Sequence, residues 1–160
     1  MKGVGLLLVV IACLLPAGAS GSQSDAPPDQ THYGQRIPPP RDAAALQRLR
    51  RNSGITLQWI GWDRRGRLEV REEDGRVLLK GGQLARGGPG RLELDGELVW
   101  IMADRFRFRG RILIADTPDV GRNCLREGDF EFRITQRRRY WRLQEMEVCD
   151  GLTDYVDIYY

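Results

Sequence analysis

The chain contains few side chains that could act as a nucleophile or a base. Its one histidine, His32, lies in a proline-rich stretch. Over residues 52–160, Lys80 is the sole lysine and Ser53 is the sole serine. Serine and cysteine nucleophiles need a base beside them, and zinc sites are built mainly on histidine and cysteine. Glycine-rich loops of the kinds that bind nucleotide phosphates are absent from the sequence. We therefore predict no catalytic residue, no metal site and no cofactor.

Carboxylates are the remaining candidates for catalysis. Acid–base chemistry on a glycan needs two Asp or Glu side chains about 5–10 Å apart. The carboxylates on predicted strands have arginine neighbours at strand spacing, which favours ion pairs and keeps the carboxylates charged. A small carboxylate-dependent enzyme acting on glycan is therefore an alternative hypothesis and not the preferred one. The candidate carboxylates are Glu69, Glu93, Asp129, Glu131, Glu145 and Glu147.

Two groups of arginines could bind an anionic ligand. In the segment DRFRFRGRILI, arginine alternates with apolar residues, so one face of a strand would carry four guanidinium groups. Guanidinium binds phosphate, sulfate or carboxylate in a bidentate manner. The alternative for this row is cross-strand pairing with Asp129 and Glu131, which alternate in the same way. A second group lies at a predicted hairpin tip, where a solvated turn is the simpler interpretation. The candidate binding surface comprises Arg105, Arg107, Arg109 and Arg111 of the row, and Arg137, Arg138, Arg139 and Tyr140 of the tip.

The charge balance disfavours nucleic acid as a partner. The whole chain has a formal net charge of +3. Residues 52–160 contain 19 Arg and Lys and 19 Asp and Glu, so their net charge is 19 − 19 = 0. A protein that binds nucleic acid is expected to show a clear positive excess. The same balance favours ion pairing over anion binding for the arginine row.

Tryptophan and tyrosine could supply a platform on which sugars stack. In a small β domain we expect most of them to fill the core instead, because each ring buries a large apolar area. We predict that Trp62 and Tyr140, which lie beside turns, are the exposed ones. The residues considered are Trp59, Trp62, Trp100, Tyr140, Trp141, Tyr155, Tyr159 and Tyr160.

The first residues have the pattern of a secretory signal. Lys2 is followed by an apolar run over residues 4–15 and then by the small residues Ala17-Gly18-Ala19. This order predicts a signal peptide over residues 1–19 that is cleaved after Ala19, which gives a secreted or periplasmic protein. The run is too short to span a membrane, so we predict no membrane-spanning segment. A lipid anchor at Cys13 is disfavoured, because the apolar run continues beyond it.

Removal of the leader would leave two cysteines, Cys124 and Cys149. In an oxidising compartment such a pair predicts one disulfide. Closing a loop of about 25 residues would stabilise the fold by roughly 3 kcal/mol in the chain-entropy model. The two cysteines bracket the arginine-rich hairpin, so we expect a rigid hairpin that projects residues 137–140 outward.

The rest of the chain divides by composition. Residues 20–41 are rich in Pro, Ser and Gly and predict a disordered spacer. Asp42 is a plausible N-cap for a short linker helix over residues 42–51. From residue 55 the apolar pattern has a period of two with turn residues between the runs, which predicts an all-β domain over residues 52–160. The predicted strands are 55–62, 67–71, 76–80, 91–94, 97–103, 105–115, 130–135, 139–147 and 155–159.

Short strands this close in sequence predict an antiparallel meander, barrel or sandwich of about eight or nine strands. The pairs Asp74-Gly75 and Asp95-Gly96 are typical of tight hairpin turns. The motif G-R-L-E recurs at residues 66 and 90, with a partial copy at residue 110. This internal repeat could indicate a solenoid, but the Asp-Gly turns favour a meander.

Together these features favour a non-catalytic protein that acts outside the cytosol. The preferred hypothesis is a secreted or periplasmic protein that binds a partner or has a structural role in the envelope. Its expected partner is an envelope or extracellular protein, or an anionic ligand. Two alternatives are an inhibitor that inserts the hairpin of residues 137–140 into another protein's cleft, and the small glycan-acting enzyme.

Overall fold

Alternating apolar residues form eight strands, which assemble into one antiparallel sheet that closes almost completely into a barrel. The computed structural model describes residues 41–160, and the predicted signal peptide, Cys13, His32 and nearly all of the predicted spacer lie outside that range. The all-β prediction is confirmed. The elements are α1 (Ala43–Arg50), β1 (Gly54–Leu57), β2 (Arg67–Glu73), β3 (Arg76–Leu84), β4 (Arg91–Ile101), β5 (Arg105–Ala115), β6 (Asn123–Arg133), β7 (Tyr140–Leu143) and β8 (Val156–Tyr159).

The strands are connected as a meander. Their order in the sheet is β1-β8-β7-β6-β5-β4-β3-β2, so each strand from β2 to β7 pairs with the next one along the chain. The first strand, β1, pairs with the last, β8. Two backbone hydrogen bonds between Ile55 and Gly66, of 3.1 and 2.8 Å, then connect β1 to the start of β2. This connectivity excludes a solenoid.

The interior is filled mainly by alternate residues of the long strands β4, β5 and β6, and all four residues of β1 are buried. The rings of Phe106 and Phe132 stack with their centroids 5.0 Å apart, and Trp141 contacts Phe106 edge-on at 5.7 Å. Phe108 is also fully buried. Leu, Ile and Val side chains complete this core.

The helix α1 belongs to the core and is not a free linker. The Asp42 carboxylate caps it by accepting a 2.7 Å hydrogen bond from the Ala45 amide. Ala45 and Leu49 are completely buried. Just after the helix, the Asn52 side chain donates to the carbonyl of Leu68 in β2, at 3.0 Å. The predicted helix bounds, residues 42–51, therefore agree with the structure to within one residue at each end.

The predicted turn at Asp95-Gly96 is wrong. Both residues lie inside β4, where Gly96 pairs with Gly110 of β5, which in turn pairs with Gly128 of β6. The ring of Phe108 lies over Gly96 and Gly110, and a Cβ on either glycine would approach it to 2.7 Å. Glycine is required here by close packing and not by a turn. The residues of the confirmed hairpin, Asp74 and Gly75, have the positive φ angles, 50° and 73°, that a tight turn needs.

Other predicted strand boundaries also differ from the structure, and β2 and β3 continue to Glu73 and Leu84, beyond their predicted ends at residues 71 and 80. The strand predicted over residues 55–62 ends at Leu57, because residues 58–66 form a loop. β6 begins at Asn123 and not at residue 130, and it pairs with β5 along its whole length. β7 ends at Leu143, four residues before its predicted end. The apolar alternation is interrupted at Gly128, which concealed the first half of β6.

The predicted disulfide joins Cys124 and Cys149, whose Cα atoms are 5.9 Å apart. Cys124 is buried in β6 opposite Ile114, and Cys149 lies in the connection between β7 and β8. The bridge therefore ties this long connection to the barrel wall. Across residues 41–160 no helix is both long and apolar enough to cross a membrane.

Candidate functional site

Most tryptophans and tyrosines lie outside the core, contrary to the prediction. Of the eight considered, Trp141 alone is fully buried, and four phenylalanines occupy the interior instead. Trp and Tyr carry a polar atom that needs a partner, so the outer wall of a tightly filled barrel accommodates them better. Trp62 is 45% exposed, as predicted, and Trp59 is 38% exposed. Tyr140, which was also predicted to be exposed, is half-buried.

The loop of residues 58–66 positions Trp62. One buried side chain, Gln83 of β3, holds this loop. Its amide nitrogen donates to the carbonyls of Gly61 and Arg64, at 2.8 and 2.7 Å, and its amide oxygen accepts from the Leu57 amide at 2.6 Å. Sequence reasoning missed Gln83, whose partners lie about 20 residues away.

Outward-facing residues of β7 and β8 form the floor beside this loop. Tyr140 lies opposite Tyr159, with ring centroids 5.2 Å apart, and Arg142 lies opposite Asp157. Together with Trp62 these four residues line an open depression of about 300 Å³. We call the surface around it the Arg142 face. It comprises Trp62, Arg65, Arg138, Tyr140, Arg142, Tyr155, Asp157 and Tyr159.

A buried ion pair fixes the centre of the Arg142 face. Nε and Nη2 of Arg142 each donate a 2.7 Å hydrogen bond to an oxygen of Asp157, which is completely buried. Burial raises the pKa of the Asp157 carboxyl, and the Arg142 guanidinium opposes that rise. The hydrogen bond from Arg142 to Asp157 raises the pKa of the guanidinium.

Aromatic rings surround the Arg142 guanidinium. Its central carbon is 4.2 Å from the ring centroid of Tyr155, 5.2 Å from that of Tyr140 and 5.8 Å from that of Trp62. Such distances are typical of cation–π contacts. The pair with Asp157 and these rings hold the side chain in one orientation.

Two further arginines extend the Arg142 face. Arg65 lies 4.0 Å over the ring of Tyr159, and Arg138 lies 5.6 Å from the ring of Tyr140. The face therefore carries three arginines and one carboxylate, whereas residues 52–160 as a whole are neutral. This positive charge is concentrated locally.

The hairpin tip does not project as a whole, contrary to the prediction. Arg137 and Arg139 are exposed, but Arg138 and Tyr140 are half-buried. Tyr160, which follows β8, donates from its hydroxyl to the carbonyl of Arg138 and from its amide to that of Arg139, each at 3.3 Å. These contacts hold the tip against Tyr160.

The arginine row on β5 is largely paired. Arg109 makes two hydrogen bonds to Asp129, of 2.6 and 2.9 Å, and Arg107 lies 3.7 Å from Glu131. The hydrogen bonds from Arg109 lower the pKa of Asp129. Cross-strand pairing, the alternative interpretation of this row, is thus confirmed for these two arginines. Arg105 pairs instead with its neighbour Asp104, because its cross-strand partner is Arg133, and Arg111 is exposed.

A second depression, of about 440 Å³, lies on the outer surface of β2 to β5 and contains four carboxylates. Three of them are in ion pairs, Glu69 with Arg71 at 2.8 Å, Asp95 with Lys80 at 3.0 Å and Glu97 with Arg76 at 3.8 Å. The fourth is Glu73. The depression therefore contains the carboxylates that a carboxylate-dependent reaction would need, but three of them are held in ion pairs.

A buried network supports the other end of the loop. Arg122 donates to both oxygens of the buried Asp154, at 2.9 and 3.0 Å, and the indole nitrogen of Trp59 donates to the same carboxylate at 3.0 Å. This network links the loop of residues 58–66 to the disulfide-bonded connection. Among residues 41–160 there is no group of three or more His, Cys, Asp or Glu side chains arranged to hold a metal ion.

Comparison with known proteins relates most of the chain to one family. Residues 39–160 match the PM1083 family. A curated protein of Pasteurella multocida (strain Pm70), named "Uncharacterized protein PM1083", is 39% identical over 108 residues, which are 66% of this chain and 69% of that protein. No solved structure matches the chain.

Proposed function

The chain belongs to the PM1083 family, and from its own geometry we propose that the barrel is a non-catalytic binding module whose contact surface is the Arg142 face. The observation that carries the proposal is the open depression of about 300 Å³ lined by Trp62, Tyr140 and Tyr159 around the Arg142–Asp157 pair. Trp, Tyr and Arg dominate the binding energy of characterised interfaces.

The supporting packing makes the Arg142 face rigid. Arg142 is held by Asp157 and by rings on three sides, and the loop that carries Trp62 is held by Gln83. A surface that is already ordered loses little conformational entropy when it binds. Rigidity of this kind suits recognition and does not require chemistry at the site.

We further propose that the protein is exported. The leader pattern of residues 1–19 and the Cys124–Cys149 disulfide support this location, because disulfides persist in oxidising compartments. N-terminal sequencing of the protein purified from its native cells should begin at Ser20. An intact leader, or two thiols that react with an alkylating reagent without prior reduction, would contradict export.

Crosslinking in native cells tests the binding proposal. A photoreactive residue is placed at position 139, beside Arg138 and Tyr140 of the Arg142 face, or at position 111 on β5. Both positions are exposed arginines, so they form a matched pair. We expect a specific adduct from position 139 and little from position 111. Equal adducts from both positions, or an adduct from position 111 alone, would show that the Arg142 face is not the contact surface.

A second candidate function is carboxylate-dependent catalysis on glycan in the depression of β2 to β5. The gathering of Glu69, Glu73, Asp95 and Glu97 in one depression favours it. The ion pairs to Arg71, Lys80 and Arg76, which hold three of these carboxylates, weigh against it. Hydrolysis of a glycan by the purified protein, lost in both Glu69→Gln and Asp95→Asn, would establish this function.

In the inhibitor hypothesis, only part of the hairpin tip is available to enter a cleft. Arg137 and Arg139 are the exposed residues of the hairpin tip and would be the ones to enter a cleft. The double variant Arg137→Ala, Arg139→Ala should then abolish capture of the target while the fold survives. Capture that survives this change would leave the hairpin outside the contact.

A further inference from the structure

We propose that the ligand of the Arg142 face is an acidic saccharide, a glycan whose sugar rings carry carboxylates. This inference rests on the proposed binding function and specifies its ligand class. It follows from three properties of the surface: its rings, its unused hydrogen-bond donor and its local charge.

Trp62 offers an exposed face on which a sugar ring can stack, whereas Arg65 lies over the ring of Tyr159. Trp62 is 45% exposed, and Tyr140 and Tyr159 are half-buried around the same depression. The π face of an aromatic ring is negative, so it attracts the polarised C–H groups on one side of a sugar ring. A depression of about 300 Å³ lies at the small end of ligand sites and suits a single ring-sized unit. Its open sides allow a longer chain to continue across the barrel.

The floor of the depression presents a donor already in position. Nε and Nη2 of Arg142 are used by Asp157, and Nη2 also approaches the Tyr140 hydroxyl at 3.4 Å. Nη1 makes no hydrogen bond to any of residues 41–160. A guanidinium group held in one orientation can donate from this nitrogen to a sugar hydroxyl or carboxylate at little entropic cost.

The charge of the surface selects an acidic saccharide over a neutral one. Arg65 and Arg138 lie against Tyr159 and Tyr140 at the two ends of the tyrosine pair. Carboxylates on successive sugar rings could pair with these guanidinium groups while the rings stack between them. An acidic peptide such as polyglutamate would neutralise the arginines but would not present the C–H face of a sugar ring to the aromatic side chains. Nucleic acid is disfavoured by the neutral net charge of residues 52–160.

Calorimetric titration of the mature protein with its disulfide intact tests this inference. The acidic probes are oligogalacturonate, oligomannuronate and hyaluronan oligosaccharides. The comparison probes are a malto-oligosaccharide of the same length, which is neutral, and a polyglutamate peptide of the same charge. We expect at least one acidic oligosaccharide to bind, and to bind about tenfold or more tightly than either comparison probe.

Matched variants locate the binding. Trp62→Ala and Arg65→Ala should each weaken binding of the acidic oligosaccharide by about tenfold, the loss expected of a central contact. The controls are Trp100→Ala and Arg111→Ala. Trp100 also lies under an arginine, Arg107 at 5.6 Å, but away from the Arg142 face. Both controls should bind normally, and thermal unfolding shows that all four variants are folded.

The failures of the two proposals can be told apart. Binding of polyglutamate as tight as that of the oligosaccharides would reassign the surface to acidic proteins. Losses in the control variants equal to those in Trp62→Ala would place the saccharide elsewhere. If no acidic saccharide binds while the adduct from position 139 still forms and needs Trp62, the saccharide inference fails and the binding function stands. If that adduct is also absent, both fail.

Discussion

At the scale of single residues, Arg142 connects the stability of the barrel to the candidate site. It pairs with the completely buried Asp157 and contacts three rings. Removing one partner of a buried ion pair leaves an uncompensated charge, whereas the intact pair contributes little on its own. The pair therefore matters chiefly for holding the Arg142 face in shape.

Arg142→Ala should lower the free energy of unfolding by about 3–5 kcal/mol near neutral pH, because it leaves Asp157 charged and buried. Burial already raises the pKa of Asp157, and the variant removes the group that opposes this rise. A raised carboxyl pKa means that stability is present below the unfolded-state pKa and is lost as pH rises through the folded-state pKa. Urea unfolding should therefore show the loss shrinking as the pH is lowered.

The double variant Arg142→Ala, Asp157→Asn is the matched control. It has no buried charge at this position, so much of the stability should return at neutral pH and the pH dependence should disappear. A loss in Arg142→Ala that is the same at acidic and neutral pH would contradict the role assigned to Asp157.

The contribution of Asp129 to stability should depend on pH in the opposite direction to that of Asp157. The hydrogen bonds from Arg109 lower its pKa, so its contribution to stability is present above the unfolded-state pKa and is lost as pH falls through the folded-state pKa. Asp129→Asn should therefore lower the urea midpoint near neutral pH, and wild type and variant should converge as the pH falls through the folded-state pKa of Asp129. Glu127→Gln, a change at an exposed carboxylate on the same strand, is the control and should have a smaller effect.

Sequence reasoning identified some of these residues and missed others for a physical reason. The Cys124–Cys149 bridge and the exposure of Trp62 follow from residue type and local context. The pairing of Arg142 with Asp157 depends on the register of β7 against β8, and the sequence does not fix that register. The carboxylates that pair with the β5 arginines were found because the strands on both sides alternate visibly.

At the scale of strands, the glycine row shapes the barrel wall. Gly96, Gly110 and Gly128 lie side by side across β4, β5 and β6, and the Phe108 ring covers the first two. The absence of side chains there lets the ring lie directly on the backbone. Because these three positions carry no side chains, the sheet can bend at this row.

Gly110→Ala tests this packing. Its Cβ would approach the Gly96 Cα to 2.6 Å and the Phe108 ring to 2.7 Å, so backbone or ring must shift. We expect a loss of about 1–3 kcal/mol in the free energy of unfolding, as for other overpacked sites. Gly88→Ala, in the turn between β3 and β4, has no atom within 4 Å of its Cβ and should be nearly neutral. Equal effects at the two positions would refute the packing role.

The disulfide acts on the connection between β7 and β8. Its two cysteines are 25 residues apart, and replacing both by serine should lower the free energy of unfolding by roughly 3 kcal/mol on the chain-entropy model. Urea unfolding of the double variant Cys124→Ser, Cys149→Ser measures this loss. Reduced wild type is the comparison and should lose a similar amount. A double variant as stable as the oxidised protein would show that the bridge does not constrain the fold.

The strand predictions succeeded where the pattern was local. The period of two correctly predicted the bounds of β5, Arg105–Ala115, and the pair Asp74-Gly75 correctly predicted the hairpin between β2 and β3. The turn predicted at Asp95-Gly96 is wrong, because an Asp-Gly pair can form a turn in one place and allow a close approach of strands in another. Only the tertiary neighbours distinguish the two uses.

At the scale of the whole molecule, the charges of residues 52–160 sum to zero but are unevenly placed. The β5 row and the depression of β2 to β5 pair most of their charges internally, whereas the Arg142 face has three arginines and one carboxylate. An unpaired excess of one sign beside exposed rings is expected of a surface that meets a partner.

The all-β class was predictable from periodicity, but the closure through β1 and β8 was not, because it joins the two ends of the described chain.

The central claim is that the protein works by binding through the Arg142 face. The most direct measurement is the yield of the native-cell crosslink from position 139 in a background carrying Trp62→Ala and Arg65→Ala, compared with one carrying Trp100→Ala and Arg111→Ala. The account predicts that the first pair abolishes the adduct and that the second leaves it unchanged. An adduct that survives the first pair of changes in folded protein would contradict it.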